Sequence, residues 1–76
     1  MTDLTERADR ARRFTQVIEG QEDLDIAVAL LKRAVPKLEQ ALGVNHDAAK
    51  ATHELLDRGL AALHKVGIAR TRTPLP

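Results

Sequence analysis

The sequence feature that most constrains this chain is a 21-residue segment from Asp23 to Gly43, DLDIAVALLKRAVPKLEQALG. Its large apolar residues alternate in steps of four and three, the spacing that places side chains on one stripe of an α-helix. These residues are Leu24, Val28, Leu31, Val35, Leu38 and Leu42, and the stripe is widened on one side by Ala27, Leu30, Ala34 and Ala41. Because so broad an apolar stripe needs neighbours on two sides, the segment predicts an all-α protein built around this helix.

The length and composition of the chain predict a small domain that self-associates. Its 76 residues include no cysteine and a single aromatic side chain, Phe14, so disulfides and cysteine-ligated zinc are excluded and the core is thin. Domains of this size usually supplement their core with disulfides, a metal or self-association. We therefore expect one helical domain, residues 1–76, in a homo-oligomer, of which a dimer is the simplest closed form.

The apolar spacing and the helix-ending residues predict helices at residues 3–19, 23–42 and 46–66, followed by a flexible tail at 69–76. The first helix ends at Gly20, because a continuation of its apolar stripe would fall on the charged Glu22 and Asp25. That stripe consists of Leu4, Ala8, Ala11, Phe14 and Ile18. The second helix contains Pro36, which either kinks it or begins a new helix, and the unbroken apolar phase across the proline favours a kink.

The junction after the central segment predicts a tight turn between two antiparallel helices. Gly43 suits the left-handed conformation that ends a helix, and Asn45 can cap the next helix, which Gly67 ends. Such a short connection is typical of an αα-hairpin. The predicted fold class is thus all-α, a three-helix antiparallel arrangement of one helix plus a hairpin, which assembles into a multi-helix bundle as a homo-oligomer.

The third predicted helix carries two apolar stripes side by side. One is expected to be a core seam and holds Ala49, Leu56, Leu60 and Leu63, and the other holds Ala48, Thr52, Leu55, Gly59, Ala62 and Val66. Gly59 indicates a close approach by the first helix or by a second subunit, although a glycine in a helix interior can also be merely tolerated. The interface residues that we predict are Leu30, Val35, Leu55, Gly59 and Ala62.

Three histidines, His46, His53 and His64, align on one side of the third predicted helix. Metal ligands on one helix usually lie four residues apart, and of these residues only His53 has such a neighbour, Asp57. The pattern therefore predicts no metal site. A pH-sensitive interface and ordinary boundary positions, half packed and half wet, remain as interpretations.

The motif and charge content argues against several functional classes. No phosphate loop, nucleophile elbow or zinc-protease helix occurs, and serine and tyrosine are absent, so we expect no catalytic site, no cofactor and no enzyme. A net charge of +1 gives no overall field to attract nucleic acid or an anionic membrane. The longest apolar run, Ile26 to Leu31, is too short to span a membrane, and the charged N-terminus is no secretory signal. We expect a cytoplasmic protein, and its arginine and alanine content is typical of a GC-rich bacterial genome.

Residues 36–56 suggest a second interpretation, a DNA-binding regulator, because they resemble a helix-turn-helix. Pro36 could open the first helix of that motif and Gly43 occupies its turn, whereas Glu39 and Thr52 depart from it. The apolar positions of the motif are matched by Leu38, Leu42, Val44 and Ala49. The residues available for nucleic-acid contacts are Arg7, Arg10, Arg13, Lys50, Arg70 and Arg72.

The start of the would-be recognition helix decides between the two interpretations. It carries Asp47 beside Lys50, a poor surface for phosphate or base contacts. The favoured function is therefore a small non-enzymatic helical interaction module, which is an adaptor, assembly factor or regulator. It would act through a self-associating apolar helix face that can also accept a partner helix.

Overall fold

The computed structural model describes residues 2–72, with side-chain surroundings from Leu4 onward. These residues form two α-helices, α1 at Thr2–Leu42 and α2 at Asp47–Arg72, joined by a turn at 43–46. α2 runs back along α1, since the guanidinium of Arg70 near its end donates a hydrogen bond of 2.9 Å to the side chain of Gln21. The described residues are all-helical, as predicted, and form an antiparallel αα-hairpin 61 Å long.

α1 is one continuous helix where the sequence predicts two, so a hairpin replaces the predicted three-helix arrangement. Gly20 does not end the helix, and among the described residues only Gly43 has a positive φ. The predicted end followed a stripe through Ile18, but the side of α1 that faces α2 continues through the half-buried Val17, Gln21 and Leu24. Gln21 is polar yet packed, so the contact with α2 passes through the point where the apolar stripe is interrupted.

Replacing Gly20 with alanine tests this continuity. We expect Gly20→Ala to stabilise the protein by about 0.5–1 kcal/mol, because alanine is the better helix former. A Cβ at this position meets no atom within 4 Å. Urea unfolding followed by circular dichroism measures the change. A comparable loss of stability would mean that the chain needs the freedom of glycine here, as a helix end at Gly20 would require.

Pro36 lies inside α1 without ending it. Proline has no N–H to offer the carbonyl of Lys32, and its ring crowds that carbonyl. Lys32 and Pro36 are both exposed, so water can bond to the free carbonyl, while the adjacent Val35 is only 4% exposed. The packing of Val35 and of the half-buried Leu38 holds the helix together on both sides of the proline. Of the two alternatives that the sequence left open, a break is therefore the wrong one.

The turn at 43–46 confirms the predicted hairpin connection. Gly43 has φ +94°, and its N–H donates to the carbonyl of Glu39 at 2.8 Å. The cap of α2 is His46 rather than the predicted Asn45, because Nδ1 of His46 accepts a hydrogen bond of 3.1 Å from the backbone N–H of Ala48. α2 accordingly begins at Asp47 and not at His46.

α2 continues past Gly67 to Arg72, so residues 69–72 are helical rather than part of a tail. The hydroxyl of Thr71 is shared between the carbonyls of Gly67 at 3.1 Å and Ile68 at 2.8 Å. These are the carbonyls four and three residues before Thr71, to which a threonine hydroxyl inside a helix commonly donates. The remainder of the predicted tail, residues 73–76, lies outside the described residues.

The two helices meet along a seam with the alternating three-four spacing of a coiled coil. In the described chain, three of its side chains are fully buried, Val28 at 3% exposure, Val35 at 4% and Ala49 at 1%. Its other residues are half-buried: Val17, Gln21, Leu24, Leu31 and Leu38 on α1, and Thr52, Leu56, Gly59, Leu63 and Val66 on α2. We call this set the seam. Because each helix covers only one side of the other, the seam is a thin core.

α1 has 41 residues and α2 has 26, so α1 extends well beyond the end of α2. Arg70 is level with Gln21, and α2 ends at Arg72, so residues 2–16 lie past that end. We call residues 2–16 the N-terminal arm. At 1.5 Å per residue the arm is about 20 Å long.

Candidate self-association surface

Gly59 marks a close approach between the two helices of one chain. A Cβ at this position would lie 3.2 Å from Cγ2 of Val28 and 3.8 Å from Cδ1 of Leu31. The partner of Gly59 is thus the part of α1 predicted as the second helix, and not the predicted first helix. Val35 is buried in the same seam at 4% exposure. Two of the five predicted interface residues, Val35 and Gly59, are therefore packed between the two helices of one chain.

The seam divides the surface of the hairpin into two flanks. Glu39 directly follows the seam residue Leu38, His53 directly follows the seam residue Thr52, and Oε1 of Glu39 lies 3.7 Å from Nδ1 of His53. A helix turns by about 100° per residue, so residues that follow seam residues share the flank of this contact. Residues that precede seam residues share the opposite flank.

The flank that contains the Glu39–His53 contact is charged. Nε2 of His53 also lies 3.9 Å from Oδ2 of Asp57, so the imidazole stands between two carboxylates. The ionisable residues that follow seam positions are Glu22, Asp25, Lys32 and Glu39 on α1, and Lys50, His53, Asp57 and His64 on α2. We call this the charged flank, and its composition suits contact with water.

The opposite flank is mostly apolar. Alongside α2, its members on α1 are Gly20, Asp23, Ala27, Leu30, Ala34 and Lys37, and on α2 they include Ala48, Ala51, Leu55, Arg58, Ala62 and Lys65. We call this the apolar flank. Leu30 is 55% exposed and Leu55 is 53% exposed, while Ala62 is half-buried. The structure thus brings three of the predicted interface residues, Leu30, Leu55 and Ala62, onto one side of the hairpin.

Sequence reasoning missed the two charged members of the apolar flank on α1, Asp23 and Lys37. Asp23 is the first residue of the second helix that the sequence predicts, but it lies in the interior of α1. The signal that could have identified both residues is their spacing of seven residues from Leu30. A seven-residue spacing returns to nearly the same side of a helix.

The three aligned histidines have different surroundings in the hairpin. His46 caps α2, His53 contacts Glu39 and Asp57, and His64 is exposed. No group of three or more histidine or acidic side chains within residues 2–72 is placed to hold a metal ion. An open cavity of about 220 Å³ near the turn is lined by Glu39, Val44, Ala49, Lys50, His53 and Glu54. Charges of both signs line this cavity, so it selects no class of ligand by charge.

The basic residues predicted for nucleic-acid contacts are spread over the hairpin. Arg7, Arg10 and Arg13 lie on the N-terminal arm, where Arg10 is 3.8 Å from Glu6, and Lys50 lies near the turn at the other end. α2 returns along α1, whereas the helices of a helix-turn-helix cross at about 90–120°. The DNA-binding interpretation stays a prediction with no geometric feature in its favour.

Comparison with known proteins found no match to this chain among protein-family models, curated proteins or solved structures. Within the described part of the chain, neither helix is long and apolar enough to cross a membrane. The apolar flank is therefore identified as the candidate site from its geometry alone.

Proposed function

We propose that this chain is a small non-enzymatic helical interaction module that self-associates through the apolar flank. The observation that carries the proposal is the imbalance between burial and exposure. In residues 2–72 three side chains are fully buried, while Leu30 and Leu55 are more than half exposed on one side. A two-stranded hairpin of this kind is marginal unless a further layer covers its open side.

The apolar flank is large enough for a specific interface. It is about 39 Å long, from the 26 residues of α2 at 1.5 Å each, and the hairpin is 15 Å wide. Pairing two flanks would cover roughly 600 Å² on each copy, or about 1,200 Å² in total, at the lower end of the range for specific interfaces. Full burial of a leucine contributes about 1.5–3 kcal/mol, so the exposed halves of four leucines, two from each copy, contribute about 3–6 kcal/mol.

Self-association leaves the charged flank and the N-terminal arm free in each copy. An adaptor, assembly factor or regulator would present these surfaces to its partner while the apolar flank holds the copies together. The module thus separates the surface used for assembly from the surfaces available for recognition.

Light scattering across a hundredfold range of protein concentration tests the proposal. We expect a particle of about twice the 8.4 kDa chain mass throughout the upper part of the range. The midpoint of thermal unfolding should also rise with concentration, because assembly stabilises the folded chain by mass action. A monomer at every concentration, with a midpoint independent of concentration, would overturn the proposal.

A further inference from the structure

The apolar flank of α1 has a palindromic pattern centred on Leu30. Asp23 lies seven residues before Leu30 and Lys37 seven residues after it, while Ala27 and Ala34 lie three before and four after. The pattern therefore reads acid, small, leucine, small, base. Because α1 is continuous through Gly20 and Pro36, all five residues lie along one side of a single helix.

We infer that the partner of the apolar flank is a second copy of this chain that runs antiparallel, with α1 against α1 and Leu30 at the twofold axis. The inference rests on the self-association proposed above and specifies its geometry. An antiparallel pair places Asp23 of one copy opposite Lys37 of the other, twice over. A parallel pair in register would instead oppose Asp23 to Asp23 and Lys37 to Lys37.

Asp23 and Lys37 have no charged partner within the described part of the hairpin. Both side chains are exposed, and within residues 2–72 neither forms an ion pair or a side-chain hydrogen bond. They interrupt a flank that is otherwise made of alanine, glycine and leucine on α1. Opposite charges at equal distances from a central leucine favour one register of one partner, a second copy.

α2 has the same centre of symmetry. Leu55 and Ala62 are placed symmetrically about positions 58 and 59, and Gly59 packs against Val28 and Leu31, which lie on either side of Leu30 along α1. The centres on the two helices are therefore level along the hairpin. One twofold axis across the hairpin brings Leu30 to Leu30 and also brings Leu55 to Ala62 of the second copy.

A twofold axis along the hairpin is the competing arrangement, and it pairs only one of the two α1 charges. It would place α1 against α2 of the second copy at the levels seen within one hairpin. Asp23 would then be level with Lys65, but Lys37 would be level with Thr52 and would gain no carboxylate. The antiparallel pairing of α1 with α1 uses both α1 charges, and it also brings Arg58 of the two copies close together near the centre of α2.

Disulfide trapping tests the geometry, since the chain has no cysteine of its own. A disulfide needs Cα atoms within about 7 Å, so Leu30→Cys should give mainly cross-linked dimer under mild oxidation. Ala27→Cys and Ala34→Cys should each stay monomeric on a non-reducing gel, because like positions are about 10 Å apart along the axis. An equal mixture of these two variants should form the mixed disulfide.

The outcomes separate this inference from the proposed function. Self-linked Ala27→Cys would indicate a parallel pair. A dimer by light scattering with no disulfide at any of these positions would indicate pairing of α1 with α2. Either result would overturn this inference but leave the proposed self-association intact. A wild-type monomer overturns both. If Leu30→Cys itself weakens assembly, the mixed disulfide of Ala27→Cys with Ala34→Cys still decides the register.

Charge reversal provides a second readout without cysteine. Asp23→Lys and Lys37→Asp should each raise the dimer dissociation constant by about five- to tenfold, as each creates two like-charge contacts. The double variant exchanges the two charges and should return to within about twofold of the original value. Additive weakening in the double variant would contradict the opposition of Asp23 and Lys37.

Discussion

Replacing Leu30 with glutamate should raise the dimer dissociation constant by about a thousandfold. Leu30 is 55% exposed in the single hairpin and lies at the centre of the proposed interface. The substitution removes about 1 kcal/mol of apolar burial from each copy, since only the exposed half of Leu30 is left to bury. Burying the two carboxylates without partners costs at least about 2 kcal/mol more, and the sum of about 4 kcal/mol corresponds to nearly three powers of ten in affinity. The substitution also places the two carboxylates across the twofold axis from each other. Sedimentation or light scattering over a wide concentration range measures the shift.

Leu60→Glu is the matched control for this experiment. Leu60 is 40% exposed and directly follows the seam residue Gly59, so it lies on the charged flank. The same change of a leucine to a carboxylate there should leave the mass unchanged. A dimer that survives Leu30→Glu, or one that Leu60→Glu dissociates equally, would show that the apolar flank does not hold the copies together.

Replacing Gly59 with leucine should lower the free energy of unfolding by about 2–3 kcal/mol, the upper range for overpacking a tight contact. A Cβ alone would stand 3.2 Å from Cγ2 of Val28, and the remaining leucine atoms have to displace α1. Because the seam is thin, we expect a loss of this size to remove most of the helical circular dichroism signal at 37 °C. Thermal unfolding followed at 222 nm measures it.

Ala61→Leu controls for the added volume and the changed helix propensity. Ala61 is exposed, two residues after Gly59 and on the side of α2 away from the seam. We expect its unfolding midpoint to stay within about 2 °C of the original. If Gly59→Leu unfolds at the same temperature as Ala61→Leu, the close approach at Gly59 does not limit packing, and the glycine is merely tolerated as the sequence alone allowed.

The turn could be predicted from sequence because its determinants are local. Gly43 follows the last apolar residue of a helix, and a left-handed position there needs only its immediate neighbours, as φ +94° confirms. The end of the first predicted helix was wrong because its determinants are distant. Gln21 looks like a break in an apolar pattern, but its side chain bonds to Arg70, 49 residues further along the chain. No local pattern reports such a partner.

The candidate site could be predicted only in part because the seam takes residues from both apolar stripes of α2. A seam that repeats every seven residues drifts by about 20° per repeat on a straight helix. It therefore uses Ala49, Leu56 and Leu63 from one predicted stripe and Thr52, Gly59 and Val66 from the other, and leaves Leu60 at 40% exposure. Which side of the hairpin leaves Leu30 and Leu55 exposed depends on how far each helix is rotated about its own axis. The sequence contains both stripes but does not by itself determine that rotation.

The unequal lengths of α1 and α2 determine the shape of the assembly when two copies pair antiparallel. The N-terminal arms then leave the body at opposite ends, and Thr2 lies 28 residues from the central Leu30. At 1.5 Å per residue, the two tips are about 85 Å apart. The assembly becomes a spacer with identical ends, and a target that offers two copies of a docking point at that separation would be held by avidity rather than by the strength of either contact. The number of residues by which α1 is longer than α2 would then determine the distance between the two tips.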